Sequence, residues 1–314
     1  MPKSFDVILF DMDNVLIDTR QSYLAAIQKT VEIYLNRPGI VSAREVDQFK
    51  LLGGFNDDWD CSWGLIAFLE TAIQGKPIHF GDHRRQRLSL SELNQLFPER
   101  PLGIEGLLRH LRVLYERVEE PPFKKVARIF QEVYLGMRLF GKKTLYWTKP
   151  GLIEKEKLIF PKSLLKRIKN KGVQFGIVTG RNQFEAHYAL KRFGIEKLFD
   201  VLITIDEVKR AEKKGGKLLR KPNPWPILEA TRRYRFSQGQ VLGKPVPRRT
   251  GTRFLYLGDL PDDILAAKKA GQKIRIHSAA FPGFTRDPET TRRELKKLKP
   301  DFYLKTPQDL VKIL

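Results

Sequence analysis

Hydrophobic and polar positions follow two different periods along this chain, and the change of period divides it. The run Phe5–Phe10 is too apolar for an exposed strand and predicts a central strand buried on both faces. From Thr19 the spacing turns helical: Tyr23, Ala26, Ile27, Val31 and Tyr34 predict a helix over Thr19–Leu35. Trp59–Ile73, Ser91–Phe97, Gly103–Tyr115 and Pro122–Leu135 repeat that pattern, while Gly53–Asp58 reads as a turn and Lys76–Arg87 and Phe140–Glu156 as loops. Farther on, helical and short apolar runs alternate: Pro161–Lys171, Val173–Thr179, Asn182–Phe193, Asp200–Ile205, Pro224–Arg235, Arg253–Gly258, Pro261–Ala270 and Lys273–Ile276. Asp301–Leu304 and Thr306–Leu314 read as a last strand and a closing helix. Strands at this spacing with helices between them predict an α/β fold, a doubly wound parallel sheet. The expected sheet domain is discontinuous, residues 1–18 and 159–314, interrupted by a mostly helical insert over 19–158.

The polar residues that end the apolar runs carry the chemistry. The first strand stops at Asp11 and Asp13, one residue apart, at the carboxyl end where open α/β sheets bind ligands. Residues two apart in an extended turn can share a cation or one reacting phosphate; the plainer alternative is an Asx-turn beside a solvated carboxylate. Val173–Arg181 ends in Thr179-Gly180 ahead of a helix, a hydroxyl and a flexible amide suited to a phosphate oxygen or simply to a turn. Lys221 precedes Pro222 at an expected helix start, one cation among 58 Lys and Arg. Phe254–Gly271 places Asp259 at a strand end and Asp262 and Asp263 at the next helix start. Oxygen ligands grouped in this way suit Mg²⁺, with water and phosphate completing its shell.

At these four segments the sequence resembles the haloacid dehalogenase-like (HAD) superfamily, and within it the phosphoglycolate-phosphatase-like subfamily. The motifs occur in the family's order: Asp11-Met12-Asp13, Thr179-Gly180, Lys221-Pro222 and Gly258-Asp259-Leu260-Pro261-Asp262-Asp263. The likeness is close over residues 1–20 and 160–314, and the insert looks like an enlarged first-position cap. Asn14 stands where the family usually has Gly, and Asn tolerates left-handed backbone. The resemblance implies that Asp11 is the nucleophile of an aspartyl-phosphate and Asp13 the acid and base. It implies Mg²⁺ held by Asp11, the Asp13 carbonyl, Asp259 and Asp263, and a phosphate site of Met12, Thr179, Gly180 and Lys221. An acid at position 13 favours a phosphomonoester hydrolase acting on a small phosphorylated metabolite. A phosphomutase of the same architecture and a basic nucleic-acid-associated binding protein are the alternatives.

Composition narrows the setting. The single cysteine, Cys61, excludes an intramolecular disulfide and a thiolate metal cluster, and beside Trp59 and Trp63 it reads as a small buried hydrophobe. No apolar run approaches a membrane span and no signal-peptide core precedes Phe5, so no membrane partner and a cytoplasmic location are expected. The formal charge of +22 admits a nucleic-acid partner, focusing of anionic substrates, or heat-adapted composition. Its clusters at His83–Arg87, Lys213–Lys221 and Pro247–Arg253 are not interleaved with aromatics as a single-strand platform is. The basic Gly/Pro stretch Ser237–Thr252 reads as a surface loop. Within the insert, Asn56 and Trp59 of the Gly53–Trp59 turn are candidate substrate contacts, with helix capping and core packing as the plainer role. Arg181, next to Thr179-Gly180, is a further substrate-binding candidate. His79 and His83 read as solvated.

Overall fold

The computed structural model describes residues 5–50, 52, 54–55, 57–76, 78, 92, 103–242, 251–284 and 288–314. Among them the chain forms two compact units, one of residues 1–18 and 157–314, the other of residues 19–156. The first unit is built on a six-stranded sheet: β1 (Val7–Phe10), β4 (Gln174–Val178), β5 (Val201–Ile203), β6 (Phe254–Gly258), β7 (Ile276–Ala280) and β8 (Phe302–Tyr303). Its order is β5-β4-β1-β6-β7-β8, and every pairing is parallel. A separate short pair, β2 (Ile17–Asp18) and β3 (Lys157–Leu158), runs antiparallel where the chain leaves and re-enters this unit.

The pleat sorts the strand residues into two hydrophobic layers. Ile8, Phe10, Phe175, Ile177, Leu255 and Leu257 join one core, which also takes Leu164, Leu165 and Ile168 of α6 (Lys162–Asn170) and Ala186 and Leu190 of α7 (Gln183–Arg192). Val7, Leu9, Phe254 and Tyr256 join the other, with Ile227 and Ala230 of α9 (Trp225–Leu242) and Ala266, Ala267 and Ala270 of α10 (Pro261–Gly271). Burial on both faces accounts for the unbroken apolar runs of β1 and β6.

The second unit is helical: α1 (Tyr23–Leu35), α2 (Ala43–Lys50), α3 (Asp58–Gln74), α4 (Gly103–Leu114) and α5 (Phe123–Leu139). Helix α1 starts four residues later than its pattern predicts. The Ser22 hydroxyl instead donates to Glu156 Oε1 at 2.9 Å, an oxygen that also accepts from the Tyr134 hydroxyl at 3.0 Å. Cys61 is buried, and burial pushes its thiol up to about 12. Trp59 lies half-buried in the first turn of α3, whose N-cap Asp57 accepts the Trp59 amide at 2.9 Å. Asn56, His79, His83, all of the predicted helix Ser91–Phe97 except Glu92, and residues 243–250 of the basic stretch lie outside the described residues.

Several elements differ from expectation for physical reasons. Helix α8 (Ile205–Gly215) has one buried residue, Val208, so no apolar stripe announces it. Its start is fixed by Glu207, which accepts the Thr204 amide at 3.0 Å. Helix α11 (Pro288–Lys297) is equally polar, and α2 shows only Val46 and Phe49 buried. Strand β7 lies later than Lys273–Ile276, because the chain turns through Lys273 and Ile274 onto the carbonyl of Ala270 before Ile276 pairs with Phe254. Helix α9 continues to Leu242, taking in the first residues of the expected loop. Among the described residues no helix is long and apolar enough to cross a membrane.

Helix α5 breaks its geometry at Gly136, with φ 68° and ψ 173°, a region open to glycine. A Cβ there would lie 2.0 Å from the Gly151 backbone nitrogen. Two backbones therefore cross where no side chain fits. Gly136→Ala is expected to lower stability by about 3 kcal/mol or more, measured as a loss of thermal and urea midpoints with an unchanged m-value.

Candidate active site

The site begins with the register of β1 and β6. Phe10 pairs with Leu257, and the Asp11 amide donates to the Leu257 carbonyl at 2.8 Å, so both strands present their next residues at one edge of the sheet. Those residues are Asp11 after β1, and Gly258 and Asp259 at the end of β6. The chain beyond Asp11 folds back at once. Met12 buries its side chain and accepts the amides of Leu16 and Ile17 at 2.9 Å each, while Asn14 adopts φ 55°. The left-handed turn expected at Asn14 is therefore present.

Helix α10 brings the third carboxylate. Pro261 occupies its first turn, and Asp263 Oδ2 accepts the Leu260 amide at 3.1 Å, anchoring the carboxyl group to the helix start. Gly258 makes room for it: a Cβ there would stand 2.3 Å from the Asp263 Cβ. The glycine of the Gly-Asp motif is thus required by the aspartate five residues later. Asp11, Asp259 and Asp263 each offer an oxygen within 4.8 Å of the others; Asp262 is not in this trio.

Lys221 closes the cluster. Its Nζ donates to Asp11 Oδ1 at 2.8 Å, Asp263 Oδ1 at 2.7 Å and the Tyr256 hydroxyl at 3.1 Å, and that hydroxyl donates to Asp263 Oδ1 at 3.0 Å. Burial acts to lower the Lys221 pKa, but Asp11 and Asp263 override it and hold the ammonium well above its usual range. Burial raises Asp11 to about 7, with Lys221 opposing and Asp263 and Asp13 adding to the rise. Burial likewise holds Asp259 well above the carboxylate range, with Asp263 and Asp11 adding to it. One ammonium shared by two carboxylates, with a third alongside, does not compensate them all.

That imbalance and one orphan atom provide the test for a metal. Asp259 is 1% exposed, and its Oδ2 is buried without a hydrogen-bond partner. Three carboxylates against one ammonium leave two uncompensated negative charges, the charge of one divalent cation. All donors are hard oxygens, and the residues therefore fit Mg²⁺.

Asp13 belongs to a different environment. Its carboxylate is outside the acidic trio, and Oδ1 accepts from Arg181 Nε at 2.8 Å and from the terminal nitrogen Nη2 at 2.6 Å. The two carboxyl groups of the motif therefore have different side-chain partners: Asp11 has Lys221 and Asp13 has Arg181. Arg181, a substrate-binding candidate from sequence, is buried and turns its guanidinium onto Asp13. Thr179 Oγ1 accepts the Arg181 amide at 3.1 Å, and Gly180 is exposed beside it. Sequence reasoning missed Tyr256, whose only signal is a hydroxyl in an otherwise apolar strand.

Residues 5–271 match the haloacid dehalogenase-like hydrolase family. The chain belongs to that family. Among curated relatives, the pyrophosphatase PpaX of Bacillus cereus is 29% identical over 164 residues, covering 52% of this chain and 61% of that protein. An imidazoleglycerol-phosphate dehydratase of Phytophthora nicotianae is 26% identical over 86% of this chain and 43% of its own length. The chain spans about half the length of the curated relatives it matches. A phosphatase structure from Thermococcus thioreducens is similar in fold, at 22% identity and TM-score 0.56, covering 92% of this chain and 98% of that one. A predicted phosphoglycolate phosphatase from Haemophilus somnus, at 17% identity and TM-score 0.53, covers 100% and 99%. The six-stranded parallel sheet brings Asp11 and Asp259 to the ends of two neighbouring strands.

Protons and a divalent cation compete for the same oxygens here. With its folded pKa near 7 against 3.8 when unfolded, Asp11 retains a proton in the native state that the unfolded chain has lost. Its contribution to stability is complete below about pH 4 and is lost as pH rises towards 7. The rise in melting temperature produced by Mg²⁺ over EDTA is therefore expected to grow between pH 5 and pH 8, and to shrink at both pH values in Asp259→Asn. A gain that is independent of pH would contradict the shared site.

Proposed function

We propose that this HAD hydrolase is a Mg²⁺-dependent phosphomonoester hydrolase acting on a small phosphorylated metabolite through an aspartyl-phosphate on Asp11. The observation that carries the reading is the division of two aspartates one residue apart. Asp11 lies with Lys221, Asp259 and Asp263, whereas Asp13 lies with Arg181. Two carboxylates in unlike surroundings can take unlike roles, one attacking and one exchanging protons. Relatives named as a pyrophosphatase and a phosphatase support phosphoryl transfer.

In this reading Asp11 attacks phosphorus while Asp13 gives its proton to the departing alkoxide. Asp13, now ionised, takes a proton from the water that displaces Asp11 from phosphorus, and both carboxyl groups return to their starting states. The Thr179 hydroxyl and the amides of Gly180 and Met12 bind the phosphoryl oxygens, and Lys221 neutralises charge developing on them. A Mg²⁺ held by Asp11, Asp259 and Asp263 would offset the repulsion between the carboxylate nucleophile and a phosphate dianion.

Turnover of p-nitrophenyl phosphate with Mg²⁺, tested with two substitutions, checks this reading. Asp11→Asn is expected to reduce kcat at least about 100-fold and to trap no phosphoenzyme. Asp13→Asn should also be slow, but with phosphoenzyme accumulating, because attack on a good leaving group survives while hydrolysis loses its base. EDTA should abolish activity, and Mg²⁺ should restore it better than Ca²⁺, which prefers more ligands and looser geometry. Full turnover by Asp11→Asn, or in excess EDTA, would reject the mechanism.

A further inference from the structure

Arg181 is one of the largest fully buried side chains among the described residues, 2% exposed. A guanidinium removed from water is costly unless it is paired, so its partner is the reason it is tolerated there. Both its Nε and its Nη2 converge on one atom, Asp13 Oδ1, at 2.8 and 2.6 Å. Its backbone is fixed as well. The amide donates to Thr179 Oγ1 at 3.1 Å, and the carbonyl accepts the Ile205 amide at 3.0 Å. A side chain held at its root and walled in along its length ends on the carboxyl group whose placement decides the proton transfers.

We propose that Arg181 is the positioning residue for Asp13. It grips Oδ1 from two directions and so leaves Oδ2 as the oxygen that carries the proton, delivering it to the leaving oxygen and then accepting one from water. Because the Arg181 amide is bonded to Thr179 Oγ1, the same residue ties the proton-exchanging carboxyl group to the expected phosphate-binding turn. This inference rests on the aspartyl-phosphate reading above. It assigns Arg181 no contact with the phosphate.

Arg181→Met and Arg181→Lys, with wild type, form the test. The first keeps the length and apolar packing of the stem, and the second keeps the charge but cannot make the fork. With p-nitrophenyl phosphate, whose leaving group needs no acid, Arg181→Met should form the phosphoenzyme at near the wild-type rate and hydrolyse it about 100-fold more slowly. Rapid mixing should then show a burst approaching one p-nitrophenolate per active site, followed by slow turnover with KM not raised. With glycerol 2-phosphate, whose alkoxide needs the proton, the first step should slow as well and no burst of glycerol should appear. Arg181→Lys should recover part of the loss.

Three results would overturn the proposal in proteins of normal melting temperature. One is wild-type turnover by both variants. Another is equal loss on both esters without a burst, the mark of general disorder in the site. The third is a raised KM at unchanged kcat, which would return Arg181 to the substrate phosphate. If Arg181→Met does not fold, the Arg181→Lys comparison of the two esters decides. Failure of the underlying mechanism reads differently: Asp11→Asn would remain active, whatever Arg181 does.

Discussion

Negative charge gathered at the end of two buried strands is the condition to which the rest of the sheet unit is fitted. Strands β1 and β6 are neighbours in register, buried on both faces, and they carry Asp11 and Asp259 to the same edge. Helix α10 adds Asp263 a few ångströms away. Uncompensated carboxylates in such surroundings cost several kcal/mol each, and the observed contacts distribute that cost. Lys221 bridges two of them, Tyr256 supports the bridge from beneath, the Leu260 amide holds Asp263, and Gly258 gives up its side chain to let Asp263 approach. One buried oxygen of Asp259 is left without a partner. The two hydrophobic layers hold the strands in place beneath this edge, and function uses part of the stability they provide.

The parts of this arrangement that were legible in sequence are those written as local chemistry. An apolar run that stops at a polar residue marks a strand end, which singles out Asp11, Thr179 and Asp259, while Lys221 stands out only through the order of the family's motifs. Asn14 was legible for the same reason, since few residues accept a left-handed turn. Partners were not legible. Arg181 and Asp13 are separated by 168 positions, and among 58 basic residues nothing local marks the one that reaches a given carboxylate. Tyr256 was hidden by its strand, because a phenol ring packs as well as any aliphatic side chain while its hydroxyl serves the neighbouring edge. Helices α8 and α11 escaped detection for the opposite reason: they bury too little to show an apolar period.

The helical unit shows the same dependence on singular positions. Its Glu156 carboxylate is buried and receives the Ser22 and Tyr134 hydroxyls, so residues from the beginning, middle and end of the insert meet at one acid. Glu132 is likewise buried and accepts the amides of Leu145, Tyr146 and Trp147 at 2.8, 2.6 and 3.3 Å, folding the segment after α5 around one carboxylate. Neither contact follows from periodicity, since Glu132 is a polar position of an expected helix and Glu156 closes an expected loop. Buried acids satisfied by several donors specify a loop conformation more narrowly than apolar packing does, because a small displacement leaves a charge without partners.

Placed at adjacent alternating positions, Asp11 and Asp13 invite the expectation of a shared ligand, and the backbone between them explains why they separate. Met12 turns its side chain into the core, and its carbonyl accepts two amides from Leu16 and Ile17, so the chain reverses within the motif itself. Asp11 stays at the sheet edge among acids, where burial raises its pKa to about 7. Asp13 is carried to the guanidinium of Arg181. In the proposed mechanism the attacking and the proton-exchanging carboxyl groups then do not compete for one side-chain cation. If they did, protonating one would reposition the other, and the two half-reactions would demand incompatible geometries. Separate counter-charges remove that conflict: the Lys221 cluster can reorganise around a phosphoryl group while Asp13 keeps its place on Arg181.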